Sequence, residues 1–77
     1  MNLLSAFPGK RYVVVKIKDP IVRQQAGCLG MGEGEDVCCI ARKANGPVTL
    51  GRGGQMVAVG GEIARGILIV PWRPRKK

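Results

Sequence analysis

Most of the side chains capable of chemistry fall in one short run. CLGMGEGEDVCC, Cys28 to Cys39, holds three thiols, three carboxylates (Glu33, Glu35, Asp36) and three glycines at positions 30, 32 and 34. Residues of these types serve three kinds of site: a phosphate cradle of glycine amides, a metal centre of thiolates and carboxylates, or a cysteine nucleophile. Each makes a demand that the sequence can be held to.

A dinucleotide-binding loop needs G-x-G-x-x-G running from a strand into a helix. Here the spacing is G-x-G-x-G, a helix is expected before it and a strand after it, and the carboxylates would repel a phosphate. No G-K-[ST] occurs elsewhere. The glycines are therefore read as backbone positions that need permissive dihedrals between a helix and a strand. Tetrahedral zinc asks for four cysteine or histidine ligands, and the chain has three cysteines and no histidine. Adjacent cysteines on a strand point to opposite faces, so Cys38 and Cys39 do not grip one ion, and one of them is expected in the core as a small hydrophobe. The carboxylates are hard oxygen donors suited at best to weak divalent binding. No metal site and no cofactor are assigned. Ser5 is the only serine and has no histidine to activate it. No base is placed beside a thiol. The chain is read as non-enzymatic.

The elements that hold this run are short. KRYVVVKIK alternates as a half-buried strand, with Val13, Val15 and Ile17 on one face and Tyr12, Val14, Lys16 and Lys18 on the other. DPIVRQQAGCLG reads as a helix: Asp19 is an N-cap, Pro20 a first-turn proline, and Val22, Ala26 and Leu29 share one face. Gly30 is placed to end it in a left-handed cap. DVCCIAR is the second strand, KANGPV a turn with positive φ expected at Asn45-Gly46, VTL a brief strand, GRGG a turn, QMVAV a strand, GGEIARG a helical turn and GILIV, closed by Pro71, the last strand. The fold class expected is mainly β, an SH3-like small β-barrel of about five strands, with one short helix after the first strand and a helical turn before the last. A sheet this small usually removes its edges by curling.

The totals set the class. A chain of 77 residues with 45% apolar residues makes one domain with a modest core. Net charge is +8, from 13 basic and 5 acidic residues. The segment PWRPRKK supplies four of the positive charges, at Arg73, Arg75, Lys76 and Lys77. It has no apolar pattern, so the expected organisation is a domain over residues 1–70 and a basic mobile tail over 71–77. The odd cysteine count, without C-x-x-C, fits a reducing compartment. MNLLSAFPGK shows no signal-peptide pattern, and no apolar run approaches the roughly 18 residues of a spanning helix. A soluble cytoplasmic protein is expected.

The order and spacing of LGMGEGEDV, GPVTL and GGQMVAVGGEIARGILI resemble the FeoA family, the ferrous iron transport protein A domain. The matching positions include Leu29, Gly30, Met31, Gly34, Val37, Gly46, Pro47, Val48, Ala58, Gly60, Ala64 and Ile69, and the lead-in LSAFPGKRYVVVKI keeps Leu4 and Gly9. Where the family helix often reads arginine-leucine, this chain has Gln25 and Ala26 beside Gly27. The resemblance implies an SH3-like β-barrel with helical insertions. It implies a cytosolic accessory of ferrous iron uptake that binds the cytoplasmic G-protein-like domain of the ferrous iron permease and modulates transport. On this reading the partner contacts are Arg23, Gln24, Met31, Glu33, Arg42, Lys43 and Arg52, and the protein is a monomer. Met31→Glu or Arg23→Glu is expected to weaken that contact with the fold intact. Two alternatives stand beside it: a basic barrel that binds nucleic acid, with Trp72 among Arg73, Arg75 and Lys76 as a stacking contact, and a free-standing regulatory module related to metal-dependent repressors.

Overall fold

A computed structural model describes residues 1–44 and 46–74. The sequence readings at Asn45, Arg75, Lys76 and Lys77 lie outside the described residues. The chain opens with a 3-10 turn, Leu3–Ser5, followed by β1 (Arg11–Ile17), α1 (Pro20–Cys28), β2 (Asp36–Arg42), β3 (Val48–Arg52), β4 (Gln55–Val59), α2 (Gly61–Arg65) and β5 (Ile67–Pro71). The strands form one antiparallel sheet in the order β4-β3-β2-β1-β5. This is the SH3-like small β fold expected from the sequence, with one difference: the sheet is not closed.

The open seam has a local cause. β5 already has company on its outer side. The Ile69 amide donates to the Met1 carbonyl at 2.7 Å, the Met1 amino group donates to the Ile69 carbonyl at 3.2 Å, and Asn2 bridges Leu68. The N-terminal residues therefore occupy the edge that β4 would need. Asn2 also caps the 3-10 turn, its side-chain oxygen accepting from the Leu4 amide at 3.0 Å. This turn was not read from the sequence, yet Leu3 and Ala6 beside it are fully buried.

The face assignment of β1 is corrected by a bulge. Tyr12 and Val14 are buried, while Val15 is half exposed. Val14 pairs with Ile69 but Lys16 pairs with Leu68, so Val15 is an extra residue opposite β5. One extra residue inverts the alternation that follows it, which returns Ile17 to the core. A strict period of two therefore places Val13 and Val15 inward where the strand turns Tyr12 and Val14 inward. The turn after β2 also departs from the expectation: its Gly46 is not among the positive-φ glycines, and the bend is closed by the Gly46 amide donating to the Lys43 carbonyl at 3.0 Å.

α1 forms as its caps predict. The Asp19 side-chain oxygen accepts from the amides of Ile21 (2.9 Å) and Val22 (3.2 Å), and Pro20 occupies the first turn. Val22, Ala26 and Leu29 pack against the core without any α1 residue being fully buried. The anchor comes just after the helix. Gly30, at φ +73°, reverses the chain, and the Met31 amide donates back to the Ala26 carbonyl at 2.8 Å. That turn carries the Met31 side chain into the core, where it is 2% exposed. Met31 is thus a core residue and not a partner contact, contrary to the sequence reading.

Met31→Ala is expected to destabilise the fold by about 2–5 kcal/mol. Met31→Glu should cost more, since it buries a carboxylate without a partner. Urea denaturation checks both, and a Met31→Glu protein with the wild-type midpoint would contradict the burial.

Candidate functional site

The glycine-rich run is a structural clamp on β1. The N-terminal half of β1 pairs with β2, from Arg11 opposite Cys38 to Val13 opposite Asp36. Beyond Val13 the partner is the loop. The Val14 amide donates to the Glu35 carbonyl (3.0 Å) and the Gly34 amide donates to the Val14 carbonyl (2.7 Å). The Ile17 amide then donates to the Glu33 carboxylate at 2.9 Å. Glu33 was assigned to partner binding, and its carboxylate is instead engaged within the fold.

The three glycines serve different needs. Gly34 sits at φ +90°, where a side chain is strained. Gly32 does not have positive φ; a Cβ there would lie 3.2 Å from the Gly27 Cα. It is required for space, because loop and helix pass in near contact. A Cβ at Gly27 itself would meet nothing within 4 Å, so the demand for space falls on Gly32 alone.

The remaining carboxylates of the run face arginines. Arg11 Nη2 donates to Asp36 Oδ2 at 3.2 Å, Arg52 Nε lies 3.7 Å from Asp36 Oδ1, and Arg52 Nη2 lies 3.9 Å from Glu35 Oε2. Each such pair is half exposed and worth about 0.2–1 kcal/mol. Arg11 also stacks over the Trp72 ring, 4.6 Å from its centroid, which adds roughly 0.5–1 kcal/mol at an exposed site. Trp72 is further held by its amide, which donates to the Arg11 carbonyl at 3.1 Å. Among the described residues no three histidine, cysteine, aspartate or glutamate side chains are arranged to hold a metal ion.

The thiols are dispersed. Cys28 is exposed on α1, Cys38 is half buried and Cys39 is fully buried. Desolvation pushes the Cys39 thiol above its ordinary range, the neighbouring Cys38 adds to this, and Arg42 opposes it. Cys38 and Cys39 lie on opposite faces of β2, as the pairing of strand periodicity and adjacent positions requires.

Of the seven residues assigned to partner contact, Met31 is buried, Glu33 holds the Ile17 amide, and the other five are divided among α1, the end of β2 and β3. Arg23 and Gln24 are exposed on α1. Arg42 and Lys43 are exposed at the C-terminal end of β2, opposite Val48, while Arg52 is at the other end of β3. Four residues of strand separate those ends by roughly 13 Å. Arg52 is occupied by Glu35 and Asp36. What the sequence reading missed is a second group of cations, Lys16, Lys18 and Arg65, which line one hollow of about 200 Å³ with Gly66 and Leu68. The signal available was the pair Lys16 and Lys18, two apart on a strand and hence on one face. Nothing local in the sequence joins them to Arg65.

Two outcomes follow from this arrangement. Glu33→Ala leaves the Ile17 amide without its acceptor and is expected to cost about 1–3 kcal/mol. Amide hydrogen exchange at Ile17 should accelerate beyond the global change; exchange that merely follows global stability would contradict the clamp. A thiol alkylating reagent should modify Cys28 first, Cys38 more slowly and Cys39 only on unfolding, as read by peptide mass mapping against time.

Comparison with known proteins sets this geometry in a family. A family model described as the FeoA domain matches residues 1–71. No curated protein matches the chain. Among solved structures, the chain superposes on a crystal structure of an iron uptake regulatory protein (FeoA) with TM-score 0.74 at 24% identity, covering 90% of this chain and 93% of that one. It superposes on the solution structure of the FeoA protein from Chlorobium tepidum with TM-score 0.81 at 22% identity, covering 99% of this chain and 74% of the other. A manganese-dependent transcriptional repressor gives TM-score 0.76 at 20% identity, covering 94% of this chain but only 41% of the repressor. At these identities the structural likenesses carry the fold, and the family rests on the match along nearly the whole chain: the protein belongs to the FeoA family.

Proposed function

We propose that this protein is a cytoplasmic accessory of ferrous iron uptake that binds the cytoplasmic G domain of the ferrous iron permease and modulates transport. Membership of the FeoA family implies the coarser part, a role in ferrous iron transport. The match over residues 1–71 is the observation that carries the reading.

The geometry supports a docking role in preference to a catalytic one. The three carboxylates of the glycine-rich run are engaged by the Ile17 amide, Arg11 and Arg52. Burial pushes the Cys39 thiol up, away from the thiolate form that a nucleophile needs. No helix is long and apolar enough to cross a membrane among the described residues. A weak and transient interface is expected of a protein that also exists free. Trp72, offered by the sequence as a stacking platform for a base, is already stacked by Arg11, which disfavours the nucleic-acid alternative.

Titration of the isotope-labelled chain with the purified G domain, followed by amide NMR, tests this. Shifts confined to one surface patch are expected. An unchanged spectrum at large partner excess would overturn the proposal.

A further inference from the structure

The fold consumes its own negative charge unevenly. Of the five acidic residues, Asp19 caps α1, Glu33 holds the Ile17 amide, and Glu35 and Asp36 face Arg52 and Arg11. Only Glu62 is left outside these roles. Four of the cations that remain are gathered along one surface.

Lys16 and Lys18 at the end of β1 and Arg65 at the end of α2 line the hollow of about 200 Å³ floored by Gly66 and Leu68. Arg65 also lines a second hollow of about 410 Å³, shared with Arg42, Leu4, Gly61 and Glu62. The two hollows therefore run together as a stripe of four cations. Among the described residues none of the four has a carboxylate oxygen within 4.0 Å, the only such pairs being those of Arg11 and Arg52. Their positions are fixed by the sheet. Lys16 pairs with Leu68, the Lys18 amide donates to the Gly66 carbonyl at 3.0 Å, and Arg42 Nη1 donates to the Leu4 carbonyl at 2.9 Å. Leu68 stands among them 45% exposed.

We propose that this stripe docks a carboxylate-rich segment of a partner protein, with its acidic side chains on Lys16, Lys18, Arg65 and Arg42 and an apolar side chain on Leu68. The inference rests on the reading that the protein acts by docking on another. Charge complementarity names the partner's sign: uncompensated cations on a rigid face attract and orient an acidic surface, and the arginines offer paired donors to carboxylates. The lining names its class. Leucine side chains and no aromatic line the two hollows, whereas binding of single-stranded nucleic acid relies on aromatic stacking as well as charge.

The test uses the full chain, isotope-labelled, with three probes: a short synthetic peptide of glutamate and leucine, oligothymidylate of equal charge, and the permease G domain. Peptide-induced shifts at Lys16, Lys18, Arg65, Gly66 and Leu68 are expected, with weaker binding by oligothymidylate. The double variant Lys16→Glu/Lys18→Glu, and separately Arg65→Glu, should weaken peptide and G-domain binding by about tenfold or more. The double variant Lys10→Glu/Arg73→Glu changes net charge equally but lies outside both hollows, and should weaken it far less. An unchanged unfolding midpoint shows that each variant remains folded. Equal losses in the two double variants, no peptide shifts in the stripe, or tighter binding of oligothymidylate would overturn the proposal. G-domain binding that survives reversal of the stripe would overturn this surface and leave the docking function standing. Peptide binding in the stripe without G-domain binding would support the surface and remove the permease domain as its target.

Discussion

The architecture depends on how β1 satisfies two edges along seven residues. On one side it pairs with β5 throughout. On the other it pairs with β2 only as far as Val13, and then with the glycine-rich loop through Val14 and the Glu33 carboxylate. A backbone amide left without a partner at a partly buried position costs about as much as a whole hydrogen bond contributes. The loop must therefore follow β1 closely. That requirement accounts for Gly34 in the left-handed region, for Gly32 pressed against Gly27, and for Met31 being carried into the core directly after α1. Residues that look like a ligand site in the sequence are held there by the hydrogen-bonding needs of a strand.

The same constraint shapes the surface. An acidic side chain held in an ion pair contributes little to the field at a distance, because the partner's charge offsets its own. Glu35 and Asp36 are balanced where they stand by two arginines, while Glu33 keeps its charge on the Ile17 amide. Among the described residues, Lys16, Lys18, Arg65 and Arg42 have no carboxylate oxygen within 4.0 Å, although Glu62 lines the hollow that Arg42 and Arg65 share. Of the 13 basic residues, four stand together in the stripe, and the order of elements decides which face carries it.

Local signals were legible in the sequence where a single residue type dictates a single conformation. Asp19-Pro20 set the start of α1, Gly30 its end, and the DVCCIAR strand appears with its bounds as read. Pairing could not be read, and most of the errors come from it. The bulge at Val15 exists because the register against β5 shifts there, and no property of Val15 itself announces it. The open seam exists because Met1 and Asn2 reach β5 across 68 positions of sequence. Met31 looked like a surface methionine because it stands in a glycine-rich connection; its burial follows from the direction in which Gly30 turns the chain. The cationic stripe needs both the register of β1 on β5 and the placement of α2, so it too belonged to tertiary structure.

The unclosed seam leaves β4 as an edge strand, and its hairpin fixes what that edge presents. Across a two-residue Gly53-Gly54 turn, Arg52 and Gln55 are the first hydrogen-bonded pair, followed by Leu50 with Val57 and Val48 with Val59. The amides and carbonyls of Met56 and Ala58 then point away from β3, and both residues are exposed. An uncharged edge of this kind invites pairing with another chain unless something opposes it. β4 carries no lysine, proline or inward charge of its own. What opposes such pairing is its brevity, at five residues, and the repulsion expected between two copies of net charge +8. On the docking proposal, positive charge thus has two consequences at once: it favours an acidic partner at the stripe and it opposes edge-to-edge pairing of two copies.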